Sequence, residues 1–314
     1  MKKYIFILLA IFFTACSASK QYYKPEDFIK LNSSSYKKEK EDKSLKNYKL
    51  VNQSDDYKIY CDIKGNLKLF KNNEEILDYD FNSLIVSASL KDNILALLSA
   101  NNDIYVFDLD NEEFIYTQSN ALATGVIKNN VQPIFMNNII IFATLDGKLA
   151  LIDYENKQNL KNISVGNLDF FNNIIYLDAK DDEVIAASSS KLLVLSQIAS
   201  AKYNIKEKLL SIKYVLSDFN NIFVATSDGS IIKYDMSLQQ ISTAKEKYAN
   251  YVAFIQNENK YLYLAEYLGY VIKYDENLEK IKVFKLNNAG KVKSQVFFDS
   301  KDSIIFNLKR YILK

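Results

Sequence analysis

Few side chains in this sequence are equipped for chemistry, and their types remove most common reactions. No histidine occurs among the 314 residues, so Ser-His-Asp and Cys-His nucleophile pairs, histidine metal ligands and the usual base near neutral pH are excluded. Two cysteines remain, Cys16 and Cys61. Cys61 stands between Tyr60 and Asp62 in an apolar stretch, the setting of a small core side chain. With no histidine or second cysteine beside it, it supplies neither a metal site nor an activated nucleophile. Asp108, Asp153, Asp235 and Asp275 each close an apolar run. A catalytic pair would need two of them to converge, whereas their spacing distributes them one per repeat, so they are expected to cap local turns. The clusters at Asp108, Asp110, Asn111 and Glu112 and at Asp178, Asp181, Asp182 and Glu183 lack the twelve-residue calcium loop with its central Gly and terminal Glu, and read as solvated loops. Seven scattered glycines form neither G-x-G-x-x-G nor a Walker pattern. The expectation is therefore no catalytic residue, no metal site, no cofactor and no enzyme activity.

The elements that carry these residues follow from composition and order. A hydrophobic share of 48% with 25% charged residues suits a folded globular chain. Lys and Arg total 40 against 38 Asp and Glu, an even balance that gives no pull toward nucleic acid or anionic lipid. Lys2 and Lys3 precede an apolar run over 4–13, and Thr14, Ala15 and Cys16 follow. That run is shorter than the roughly 20 residues a membrane-spanning helix needs, and it has the order of a secretory signal. Phe13, Thr14, Ala15 and Cys16 resemble the lipobox of bacterial lipoproteins. The resemblance implies that residues 1–15 are a signal peptide and that Cys16 is acylated after cleavage. An ordinary secretory signal cleaved nearby and an uncleaved anchor are the alternatives. Removing 1–15 takes away Lys2 and Lys3, leaving 38 basic and 38 acidic residues. Ser17, in place of Asp, implies the outer membrane by the same resemblance. Residues 16–46 hold three consecutive serines and the mixed charges of 37–43. They are expected to form a lipidated flexible tether, apart from a short strand or helix around 27–31. Residues 47–314 form the folded domain.

Within that domain one unit recurs: an apolar strand, a polar turn, a second strand, a polar loop. The clearest turns are Asp146-Gly147, Asp228-Gly229 and Leu268-Gly269, with weaker copies at Lys64-Gly65, Asn101-Asn102, Ser189-Ser190 and Lys309-Arg310. Seven turns at spacings of 37 to 45 residues predict an all-β propeller of seven four-stranded blades. Gly at these turns is expected to supply the positive φ of a two-residue primed hairpin. The seventh repeat reads 280–286, 293–298, 303–308 and 310–313. The innermost runs are expected to be the most buried and the last strand of each repeat more amphipathic. The first repeat shows 48–51, 57–63 and 66–71 but no fourth strand, so ring closure there is expected to recruit a segment near Phe28. Tyr and Phe, 23 and 19 in number with no Trp, must supply the large core volumes.

Strand-Asp-Gly-strand-Asp repeats resemble the quinoprotein-like and WD-repeat propellers. Together with the lipobox they resemble the BamB family of outer-membrane assembly lipoproteins, over roughly 48–314. That family usually has eight blades where seven are counted here. The tryptophan docking motif of quinoprotein blades is absent, so the resemblance implies the architecture without a quinone site. It implies a non-enzymatic, lipid-anchored envelope scaffold facing the periplasm, a monomeric propeller bound to protein partners, with participation in outer-membrane protein assembly. A periplasmic accessory propeller of nitrate respiration, similar to NapL, is an alternative. An envelope enzyme with carboxylates converging on the central channel is another.

Overall fold

The computed structural model describes residues 21–36, 43–120, 131–166, 173–198, 203–300 and 302–313. Cys16 and the signal segment 1–15 lie outside them. The described chain is a ring of seven four-stranded antiparallel sheets, one of which gains a fifth, parallel strand. Blade one consists of Lys49–Gln53, Tyr57–Cys61, Asn66–Lys71 and Glu74–Asp80, each pairing with the next. Blade five repeats the pattern with Ile212–Ser217, Asn221–Thr226, Ser230–Asp235 and Gln240–Lys245. Blade six does so with Tyr251–Gln256, Leu262–Glu266, Tyr270–Tyr274 and Lys280–Leu286.

These boundaries correct the phase of the predicted repeats by one strand. Lys280–Leu286, read as opening the seventh unit, is the outer strand of blade six, because a short turn folds it back onto Tyr270–Tyr274. The strand missing from the first repeat is Glu74–Asp80. Only Leu77 is fully buried in it, so it carries almost no apolar signal. Burial also follows strand position. The second strands, such as Ile139–Ala143 and Leu262–Glu266, are buried at every residue because neighbouring blades cover both of their faces. Outer strands lie at the rim, and Asn204–Leu209 is exposed throughout. The most buried runs are thus the second strands, and Ser230–Asp235, read as a last strand, is a third strand with most of its length covered.

Two kinds of turn join the second and third strands. In blades three and five, Gly147 and Gly229 have φ of 81° and 84° while the preceding Asp does not enter the left-handed region. The Gly147 amide bonds Thr144 O at 3.0 Å and the Thr144 amide bonds Lys148 O at 2.8 Å. This is a type I turn followed by a left-handed glycine, in place of the expected two-residue primed turn. Gly229 is also wedged against the chain, since a Cβ there would stand 2.4 Å from Glu246 O. Asn307 and Leu308, with φ of 51° and 62°, do form a two-residue primed turn. They place the seventh turn two residues before the expected Lys309-Arg310.

Closure uses the segment read as tether. Residues 21–36 strap the last two blades: Ile29–Leu31 runs parallel to Phe284, Lys285 and Leu286 as a fifth strand of blade six. Ser34–Ser35 pairs with Arg310 and Lys309 as the outer strand of blade seven. The segment beyond Phe28 therefore completes blades six and seven, and the first blade completes itself. Tyr23, 3% exposed, inserts into the core between blades five and six beside Tyr251, Tyr274 and Phe223, its ring edge-on to Tyr270 at 5.5 Å. Comparable buried clusters bridge each adjacent pair from blades one and two to blades six and seven. Fully buried Phe107, Phe142, Phe223, Phe284 and Phe306 fill them in place of tryptophan.

Truncating Tyr23 to Ala should lower the unfolding free energy by about 3 kcal/mol. The same change at Tyr22, 39% exposed, should cost under about 0.5 kcal/mol. Urea denaturation of the two variants checks the pair.

Candidate functional site

In an antiparallel four-stranded blade the first-to-second and third-to-outer turns leave from one end, and the second-to-third turn leaves from the other. Repetition around the ring gives the molecule two loop faces of different chemistry. On the first, Asp108, Asp153, Asp235 and Asp275 recur at the ends of third strands, one per blade, and each accepts hydrogen bonds from the turn that follows it. Asp235 Oδ1 takes the amides of Ser237 and Gln239 at 2.8 and 2.9 Å. Asp275 Oδ1 takes those of Asn277 and Glu279 at 2.9 and 2.8 Å. Asp108 and Asp153 do the same with Asp110 and Asn156. Side-chain hydrogen bonds from Asn111, Asn156 and Ser237, together with these amides, hold Asp108, Asp153 and Asp235 below the ordinary carboxylate range. The structure does not bring the four together; it spaces them around a rim, one per blade. Asp55, Asp56, Glu112, Glu113, Glu155 and Asp181 stand exposed on the same face, interspersed with the exposed Lys91, Lys157, Lys180 and Lys260. On this face a groove of about 450 Å³ opens between blades four and five, with Phe219 and Met236 beside Glu183, Lys206 and Asp235.

Other predicted positions separate. Asp178 bonds the Tyr176 hydroxyl at 3.2 Å, and burial pushes its carboxyl up. Asp108, of the other acidic cluster, lies two blades away. No group of three metal-ligating side chains occurs among the described residues. Cys61 is 1% exposed, with its thiol 3.3 Å from Asp62 O and 3.4 Å from the Ile85 amide. Burial pushes that thiol up, which keeps it protonated and unreactive.

Sequence reasoning passed over a buried carboxyl that is strongly raised, Glu266. At the ends of the second strands of blades three and five stand Thr144 and Thr226, whose hydroxyls bridge the turn to Asp146 and Asp228 at 2.6 Å each. Blade six has Glu266 there, 1% exposed, and its Oε2 accepts the Leu268 amide at 2.7 Å. Burial raises its pKa to about 7, against the amides of Leu268 and Asn250 and the charges of Lys285 and Lys213. Burial also lowers the ammonium groups of Lys213 and Lys285. Lys213 Nζ reaches Tyr251 O at 3.2 Å, and Lys285 Nζ reaches Leu268 O at 2.7 Å while lying 3.8 Å over the Tyr270 ring. A glutamate where other repeats carry Thr or Ser was the available signal. Glu266 thus accepts a turn amide, while Lys213 of blade five reaches across to Tyr251 O of blade six. Asp178, the other raised carboxyl, belongs to blade four.

The ring of seven blades, its two loop faces and its rim-bound carboxylates define a seven-bladed β-propeller presenting loops from a rigid frame. Residues 62–312 match the model of the RSE1/DDB1/CPSF1 second beta-propeller, and the chain belongs to that family. It is 30% identical over 177 residues to the plasminogen-binding protein PgbB of one Helicobacter pylori strain, covering 56% of this chain and 32% of the relative. Against PgbB of a second strain it is 30% identical over 162 residues, 51% and 29% of the two chains. The chain thus spans about a third of the length of these curated relatives. Among solved structures, BamB from Moraxella catarrhalis superposes with a TM-score of 0.66 at 11% identity, over 84% of this chain and 83% of that one. The C-terminal WD40 domain of Sif2 does so with 0.61 at 12%, over 82% and 77%. These likenesses show the expected BamB-like propeller fold.

Glu266 binds its proton more tightly folded, at about 7, than unfolded, near 4.5. Folded protein therefore holds more protons than unfolded between those values, and stability falls as pH rises through that window. The loss should reach about 2–3 kcal/mol by pH 8. Glu266→Gln should abolish this part of the pH dependence while matching the parent below about pH 4.5. Urea denaturation of both proteins from acid to pH 8 measures the difference.

Proposed function

We propose that the protein is a lipid-anchored envelope scaffold, acylated at Cys16, that binds a protein partner through the carboxylate-bearing end of the ring. The observation that carries this is the rim itself. Its carboxylates are held ionised by their own turns, beside an open groove with apolar walls at Phe219 and Met236. Fixed charge around an apolar pocket suits recognition of a basic, partly apolar protein surface, and the charge steers its approach. The relatives support a protein partner, being named for plasminogen binding. Likeness to BamB supports a subunit of the outer-membrane assembly machinery instead. The two readings place the ring on opposite sides of the outer membrane. Plasminogen requires display on the cell surface, whereas assembly requires the periplasm.

Mass spectrometry of the purified protein should show residues 1–15 removed and acyl chains on Cys16, and Cys16→Ala should leave the detergent phase. Crosslinking in cells and binding to immobilised plasminogen should recover one partner, with protease access to intact cells deciding the side. Reversing Glu113 and Glu155 to Lys should weaken that binding about tenfold and steepen no other property. Recovery of neither plasminogen nor any envelope protein defeats the reading.

A further inference from the structure

The strap shortens the leash. Seven residue steps separate Cys16 from the buried Tyr23, and an extended chain covers at most about 25 Å over that distance. An acyl chain on Cys16 would therefore hold the ring close to the bilayer, on the side where Tyr23 enters between blades five and six. We propose that the second-to-third-strand end of blades five to seven is a docking surface for an anionic membrane.

Chemistry at that end fits lipid headgroups. Its described turns and connections, 210–211, 227–229, 247–250, 267–269, 287–295 and 307–309, contain Lys247, Lys291, Lys293 and Lys309 against one carboxylate, Asp228, which is paired with Lys245 Nζ at 2.5 Å. The acids that border them are turned inward. Glu246 is buried and takes the Tyr274 hydroxyl at 2.7 Å and Lys280 Nζ at 3.0 Å, and Glu266 is buried against the Leu268 amide. Between the lysines Tyr22, Tyr248 and Leu308 are exposed by 39%, 42% and 52%. Lys291 lies 5.0 Å over the Tyr22 ring and Lys247 5.1 Å over the Tyr248 ring. Glu26 and Asp27 follow Tyr23 on the way to the edge strand Ile29–Leu31. Amphipathic rings settle at headgroup level and lysines are drawn to an anionic leaflet within about a Debye length, near 10 Å. With basic and acidic residues equal once 1–15 are removed, the attraction comes from placement and not from net charge.

The short leash rests on the acylation proposed above; the charge of the face does not, and the test separates them. The chain has no tryptophan, so one introduced ring reports alone. Full-length protein carrying Tyr248→Trp is added to vesicles of phosphatidylcholine with or without phosphatidylglycerol, with bromine on the upper acyl chain as quencher. The measurement is repeated with Cys16→Ser. Expected are a blue shift and quenching on anionic vesicles with either residue at position 16, lost at about 0.5 M salt. Reversing Lys247, Lys291 and Lys293 to Glu should weaken vesicle affinity at least about tenfold. Tyr154→Trp, on the opposite end, should stay unquenched. Quenching that survives the triple reversal, or appears equally at Tyr154→Trp, overturns the proposal. So does an unquenched Tyr248→Trp at low salt, which would leave the face to an acidic protein or a second copy of the chain. If Cys16 proves unmodified while the Cys16→Ser result holds, acylation fails and the docking face stands.

Discussion

A propeller blade buries both faces of its sheet against two neighbours, and the rest of this structure depends on that constraint. A sheet with one wet face alternates apolar and polar residues, but a doubly covered strand must be apolar at every position. Ile139–Ala143 and Leu262–Glu266 obey this, with every residue buried. The outer strands escape it because nothing lies beyond them. The second strands therefore carry most of the side-chain energy, while the outer strands contribute chiefly by pairing backbone groups.

What was legible in the sequence follows the same division. The second and third strands with their glycine turns stood out, because double burial enforces apolar runs and left-handed turn positions favour Gly or Asn. Blade number and fold class came from those alone. Glu74–Asp80 was missed because a rim strand needs one buried residue, Leu77, and is otherwise free to be charged. The phase slipped by one strand for the same reason: where the outer strand is silent, sequence periodicity does not say which neighbour it pairs with. The strap was read as tether because its contribution to the core reduces to Tyr23, and a single buried ring leaves no pattern.

The perturbed groups were hidden by a related effect. Repeats make ordinary positions predictable, so information lies in the departures. Lys213 stands where blades two, four and six carry Val86, Ile175 and Val252 at the second place of the first strand. Glu266 stands where blades three and five carry threonine. Each departure alone reads as an isolated charge in an apolar strand. Together, in consecutive blades, they are complementary charges in one buried neighbourhood. Burying either charge costs desolvation, and Lys213 ties blade five to Tyr251 O of blade six at 3.2 Å, so the departures are better understood as fixing which blade meets which than as adding stability.

Charge also separates along the ring axis, and turn chemistry explains how. Third-to-outer turns need an acceptor for several consecutive amides, and Asp supplies it from the strand end, so one face accumulates carboxylates as a by-product of folding. The opposite turns are built on Gly, or on Asn and Leu in the left-handed region, with Thr or Glu turned inward. Aspartates there are taken up within the turn, Asp62 by the amides of Lys64, Gly65 and Asn66 and Asp228 by Thr226 and Lys245, while the exposed positions of blades six and seven hold lysine. A polarity that begins as local hydrogen bonding becomes, after seven repeats, a molecule with two distinct ends. The strap then breaks the ring's rotational equivalence. By closing over blades six and seven it brings the N-terminal chain to the lysine-bearing end of blades five to seven, and leaves the carboxylate rim facing away.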